Sequence, residues 1–271
     1  MSATAPVERP GLGHALDLST TTATPFHRLV GVELKKSYDT RAGFWLLAVI
    51  GLLVLLTEGI VLAVTVSQDE PMQFGDFVAA AAFVTSILLP VLGIMLVTSE
   101  WSQRTGMVTF ALEPRRPRVF AAKAAVGVIL TLATIAMAIV VGLVCNLIYG
   151  SLQGGADWTF GWAGFFGFLI TQNLAMLGGF ALATLLLNTP AAIVMFFVYQ
   201  WVLPGLIAAG EALIGWFEKV APWIDFQSAQ APLYDMSLSG SDWGHLLVSG
   251  FVWLVVPLSI GVWRVLRAEI K

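Results

Sequence analysis

From Phe44 to Trp263 the sequence repeats one pattern: a long apolar run, then a short break carrying Gly, Pro and most of the charges. Six runs reach the roughly 20 residues that a helix needs to cross a bilayer. They are about Phe44–Ser67, Asp76–Ser99, Ala124–Tyr149, Trp162–Leu187, Ala191–Ala209 and Trp243–Trp263. None shows a clear two-residue alternation, and lipid offers no water to an open strand edge, so the runs predict helices rather than barrel strands. Composition agrees, with 58% hydrophobic and only 11% charged residues, against about 25% charged in a soluble domain. Ten Trp and 26 Gly suit spanning helices, which tolerate Gly and place Trp at the interfaces. The expected fold is an all-α membrane protein with six transmembrane helices.

Charge sets the expected orientation. Arg9, Arg28, Lys35, Lys36 and Arg41 precede the first run; Arg104, Arg115, Arg116, Arg118 and Lys123 fall between the second and third; Arg264, Arg267 and Lys271 follow the sixth. Only Lys219 lies elsewhere. With both termini cytoplasmic, 13 of the 14 basic residues are inside, as the positive-inside rule favours. The net charge of −3 says nothing by itself. Cys145 is the single cysteine, so no internal disulfide forms.

Residues 1–25 are rich in Thr, Ala, Pro and Ser and lack the apolar core of a secretory signal, so a disordered cytoplasmic tail is expected, with residues 26–271 as the six-helix domain. Phe26, Leu29, Val30, Leu34 and Tyr38 then recur at helical spacing with Arg28, Lys35 and Lys36 between them. This is either an amphipathic helix lying in the inner interface or an ordinary basic flank of the first span.

The stretch "SEWSQRTGMVTFALEPRRPRVFAAK", residues 99–123, concentrates five of the basic residues between two very apolar runs. "EWSQRTGMVTFAL" can form a short helix that ends at Pro114 and Pro117, with the next helix restarting near Val119. The resulting elbow either docks a soluble partner or is a solvated connection held inside by its charges.

The same stretch resembles the cytoplasmic loop of ABC-2-type permeases, the membrane subunits of one class of ATP-binding-cassette transporters. The matching residues are Glu100, Arg104, Thr105, Gly106, Leu112, Pro114, Arg118 and Lys123, with Thr-Gly where Gly-Thr is commoner. "VELKKSYDTRAGFW" is similar to that family's N-terminal connecting helix through Glu33, Lys36 and Arg41. The resemblance implies a permease, an exporter in a bacterial cytoplasmic membrane, paired with a second permease copy or homologue and with cytoplasmic ATPase subunits that bind ATP and Mg. It implies that the 99–123 loop is a coupling helix between the second and third spans. It also implies that the second and fifth spans line the pathway, which makes Phe83, Ser86 and Gln200 candidate pathway residues. No G-x-x-x-x-G-K-[ST] occurs, so the chain is expected to be non-catalytic, with no cofactor of its own. Membrane lipid is an expected partner and nucleic acid is not. The alternative is a membrane-embedded scaffold or sensor subunit that recruits a regulatory protein through its basic loop.

Other residues invite a role. Glu58 lies deep in the first run, where a charged group costs about 2.5–3.5 kcal/mol by insertion scales for Asp, Lys and Arg. It either binds a cationic substrate on the pathway or hydrogen-bonds a neighbouring helix while protonated. Asn146, Gln172, Asn173 and Gln200 fit helix–helix hydrogen bonds, and Pro90 and Pro204 fit kinks. Residues 210–242 mix aromatic and acidic positions and contain Pro222 and Pro232, predicting short outer helices between the fifth and sixth spans, as a gate or a cap. Ser241, Asp242 and His245 carry the letters of a hydrolytic triad but lie too close in sequence to form one; Ser241 or Asp242 is expected to cap the last span. His14, His27 and His245 are too scattered for a metal.

Overall fold

The computed structural model describes residues 24–102, 113 and 115–267. Helix α1 (Phe26–Asp39) leads into α2 (Arg41–Gln68), α3 (Phe74–Ser102), α4 (Arg116–Gln153) and α5 (Trp162–Leu186). The fifth long helix is broken: α6 (Thr189–Phe197), a π-helical turn (Val198–Val202), then α7 (Leu203–Leu213). Three one-turn helices follow a short 3₁₀ segment: α8 (Ala221–Ile224), α9 (Phe226–Ala229) and α10 (Ala231–Tyr234). The sixth long helix is broken in the same way: α11 (Gly240–Gly250), a π-helical turn (Phe251–Val255), then α12 (Val256–Arg267). All six long helices are long and apolar enough to cross a membrane, which is the mark of a multi-pass membrane protein. Among the described residues no strand forms; Gln73 and Asp157 make one isolated bridge.

Helix ends depart from the apolar runs for local reasons. α4 begins at Arg116, ahead of both Val119 and the apolar run. Pro117 sits in its first turn, where a missing N–H has no partner to lose, so it starts the helix instead of delaying it. At α11 the N-cap is Ser239 rather than Ser241 or Asp242. Asp242 falls three residues later and reaches back, accepting the Ser239 backbone N–H at 2.8 Å and its hydroxyl at 2.6 Å. This reciprocal capping box satisfies more orphan groups than either expected cap.

The core sits where α3 and α5 cross. A Cβ at Gly93 would run into the Met176 carbonyl, and one at Gly179 into the Pro90 carbonyl, so two glycines on facing helices let the backbones touch. Around them Ile50, Leu89, Ile94, Val97, Met176 and Phe180 are fully enclosed. One end of the bundle gathers α1, the start of α4 and the C-terminal helix: the Arg116 guanidinium donates to the Val265 carbonyl, and Arg264 donates to Leu185 O at 2.6 Å. At the other end Phe74 N–H and the Asn146 amide both donate to Asp157 O, at 3.0 and 3.1 Å, and Tyr149 OH donates to Glu70 O at 2.9 Å. The exposed Asp157 carboxylate accepts the Thr159 hydroxyl and N–H, which holds its pKa below the usual range.

α1 packs Leu29, Val30 and Leu34 into the bundle and leaves Phe26 and Tyr38 exposed. Its inward face also carries Glu33, an acid with 2% exposure.

Candidate functional site

Glu33 explains why α1 turns a charge inward. Lys123, on α4, donates to Glu33 Oε2 at 2.7 Å; Lys36, one turn along α1, donates to Glu33 Oε1 at 2.7 Å. Glu100, near the end of α3, accepts from Lys36 at 2.8 Å and lies 3.3 Å from Lys123. Two acids and two bases thus form a closed ring in which each group touches both opposite charges. Glu33, Glu100 and Lys123 are buried, while the Lys36 side chain is 41% exposed. Burial pulls the Lys36 pKa down, but hydrogen bonds to Glu100 and Glu33 outweigh it and the net direction is upward. Removing one member of such a ring leaves a buried charge uncompensated, which costs about 3–5 kcal/mol.

The ring joins three helices and straddles a connection. Glu100 precedes residues 103–112, and Lys123 follows them. Arg118 extends the set, lying 3.3 Å from the buried Glu113 and donating to Thr24 O at 2.7 Å. The ring and Glu113 line a cavity of about 510 Å³ together with Leu29, Leu46, Leu47, Leu92 and Leu130.

Four of the residues singled out in the sequence, Glu33, Lys36, Glu100 and Lys123, therefore meet in one place. Arg41 opens α2 nearby and is exposed. Arg104, Thr105, Gly106, Leu112 and Pro114, and with them the expected coupling helix, lie outside the described residues, as does nearly all of the expected tail. The pathway candidates separate. Ser86 and Gln200 line one pocket. Phe83, at 62% exposure, faces outward from α3. Glu58 is fully enclosed between α2 and α4, and neither carboxyl oxygen has a hydrogen-bond partner. A Cβ at Gly142 would lie 3.4 Å from Glu58 Oε2.

The pocket holding Ser86 and Gln200 depends on both broken helices. Each π turn stands in the same register before a proline: Leu203 N–H donates to Val198 O ahead of Pro204, and Val256 N–H to Phe251 O ahead of Pro257. Pro204 has no N–H, and the π step diverts that of Leu203, so the carbonyls of Tyr199 and Gln200 lose their helical donors. Gln227, on the short helix α9, replaces them. Its Nε2 lies 3.3 Å from Tyr199 O, 3.4 Å from Gln200 O and 3.0 Å from Gln200 Oε1. The two π turns meet through Tyr199 and Trp253, ring centroids 4.8 Å apart, and Trp253 Nε1 donates to Ile224 O at 2.8 Å. α8 and α9 are thereby fastened to the breaks.

Gln227, Gln230, Tyr199 and Trp253 were not reached from the sequence. The signal was an aromatic-containing turn just before a proline, "VYQWVLP" and "FVWLVVP", in two spans. Neither a family model nor a curated protein matches the chain.

Proposed function

We propose that this chain is the permease subunit of an ABC-2-type transporter, an exporter that works beside a second permease and is driven by cytoplasmic ATPase subunits. Both termini and the ion-pair ring then lie on the cytoplasmic side, in accord with the distribution of basic residues. The observation that carries this reading is the ring itself. It couples the two sequence stretches that resemble the family's connecting and coupling elements, Glu33 and Lys36 with Glu100 and Lys123.

A coupling element must pass a push on the loop into the membrane helices. The ring ties both flanks of residues 103–112 to α1, so α1, α3 and α4 respond together instead of fraying separately. The pairs are short and mostly buried, which screens them little from one another. Transport by such a subunit needs no chemistry from its own side chains; the ATPase partner would supply hydrolysis, with ATP and Mg bound there.

Co-purification tests the reading. Affinity-tagged chain, extracted in mild detergent from its native cells, is expected to bring down a nucleotide-binding ATPase, and Glu100→Ala to weaken that association or uncouple ATP hydrolysis from transport while membrane insertion stays normal. Recovery of a stable complex with a non-ATPase regulator instead would reject the permease assignment in favour of a scaffold.

A further inference from the structure

We propose that Glu58 is a proton-binding site: its carboxyl holds a proton while α2 and α4 are packed together and releases it when they part. Which end of that seam faces the outside rests on the proposed orientation; the site itself does not.

Geometry selects the ligand. Glu58 is 0% exposed and neither oxygen has a hydrogen-bond partner. Across the seam stands Gly142, where a Cβ would lie 3.4 Å from Glu58 Oε2 and 3.3 Å from Phe77 Cβ. A hard metal ion gathers about six oxygens, and a carboxylate enclosed alone is too costly to keep its charge. A proton needs neither room nor further ligands. The surroundings agree. Apart from Glu58, α2 carries no charged residue after Arg41, α4 none after Lys123, and α5 none at all. On α3, Asp76 accepts the Gln73 N–H at 3.0 Å, while Glu100 and the charges of α1 gather at the far end of the bundle. Cys145, on α4, is the titratable group within electrostatic reach of Glu58.

The seam is polar toward one end only. On the side of the ion-pair ring, Val54, Ala81, Ile135 and Ala138 close it as one buried apolar cluster. On the other side α4 carries Asn146, whose buried Oδ1 has no partner, and then Tyr149 and Gln153. Tyr149 OH donates to Glu70 O at 2.9 Å and Gln153 Nε2 to Val66 O at 3.3 Å, which latches the end of α2 to α4. While the seam is shut the Glu58 carboxyl makes no hydrogen bond. What it adds is the capacity to give up a proton once water reaches it. An exposed Glu loses its proton at about pH 4.3. From about pH 6 to 8 each parting of the helices therefore frees one proton, and each pH unit upward favours the parted form about tenfold.

Cys145 reports the parting, because this single cysteine is buried in the same seam beside Phe77, Val61 and Leu62. The test treats the full chain in lipid nanodiscs with N-ethylmaleimide from about pH 6 to 8. Thiolate supply alone raises the alkylation rate about tenfold per pH unit. The unsubstituted chain is expected to be steeper, approaching about a hundredfold per unit, because the Glu58 proton must leave as well. Glu58→Gln and Glu58→Met are expected to fall back to about tenfold. Infrared spectra at neutral pH are expected to show a protonated-carboxyl C=O band that both variants lack. A slope in the unsubstituted chain no steeper than in the variants, absence of that band, or a Cys145 that reacts at no pH in the unsubstituted chain would overturn the proposal. Both readouts use the chain alone, so a negative result leaves ATPase association standing, and loss of ATPase association leaves the proton site standing.

Discussion

Glu33 and Lys123, 90 residues apart in the chain, meet at 2.7 Å with side-chain exposures of 2% and 5%. Their contact makes α1 part of the bundle rather than a strip laid beside it. Lys123→Met takes from Glu33 and Glu100 a buried base that both contact, and is expected to cost about 3–5 kcal/mol of stability. The double variant Glu33→Leu with Lys123→Met removes one acid and one base together and is expected to recover most of that loss. Unfolding midpoints of the three proteins in one detergent check this; a Lys123→Met loss below about 1 kcal/mol would mean the ring behaves as a surface ion pair.

Glu58 gives the opposite expectation. Because neither oxygen has a partner, Glu58→Met sacrifices no hydrogen bond and relieves an orphaned polar group, a gain of about 1–3 kcal/mol. Glu58→Gln is expected to insert and fold normally. If either variant is stable but abolishes transport of a cationic substrate, Glu58 serves function at the expense of stability, and its enclosure between α2 and α4 is opened during the cycle.

The π turn before Pro204 can be tested by exchanging which group satisfies which carbonyl. Gln227→Ala strips the replacement donor from Tyr199 O and Gln200 O and is expected to cost about 1–3 kcal/mol. Pro204→Ala restores a backbone N–H and lets the fifth span close as an ordinary α-helix. The pair is therefore expected to be non-additive, Pro204→Ala recovering part of the Gln227→Ala loss. Hydrogen exchange across residues 198–205 reports the same change, with slower exchange once the proline is gone. Strict additivity would mean that Gln227 acts through some other contact.

What could be read in the sequence divides along physical lines. Six spans were legible because bilayer thickness sets a run length that composition reveals directly. The start of α4 was not, because hydropathy marks where lipid begins, and a helix can run on through Arg116 and Arg118 beyond it. Glu33, Lys36, Glu100 and Lys123 were each picked out, but as two unrelated sets: nothing in a linear pattern says which helices will lie side by side. The π turns were hidden for a different reason. An i+5 step uses the same residues as an i+4 step, and only the later proline hints at it. Gln172 was picked out as a helix–helix hydrogen bonder, and its Nε2 donates to Ala82 O on α3; Gln227 and Gln230 were not picked out at all, because nothing in a linear pattern says that a short outer helix will lie against a broken span.

The proposed orientation has its own check. In a Cys145→Ala background, single cysteines at Gln68, Gly154 and Ser228 are expected to react with an impermeant thiol reagent added to intact cells, and one at Arg116 only after the cells are opened. Cys145 is buried, so its removal changes no surface. Labelling at Arg116 from outside would invert the topology and remove the ring from the side on which the permease reading requires ATPase subunits.

The ring of Glu33, Lys36, Glu100 and Lys123 sums to zero formal charge. A body with no net charge does no electrical work when it shifts along the membrane normal, whereas a single uncompensated charge crossing the full potential involves about 2.3 kcal/mol per 100 mV. Were the proposed coupling motion to shift the ring along the membrane normal, its four charges would add no net electrical work of their own, whereas Lys36→Met would leave one net charge there to feel the potential.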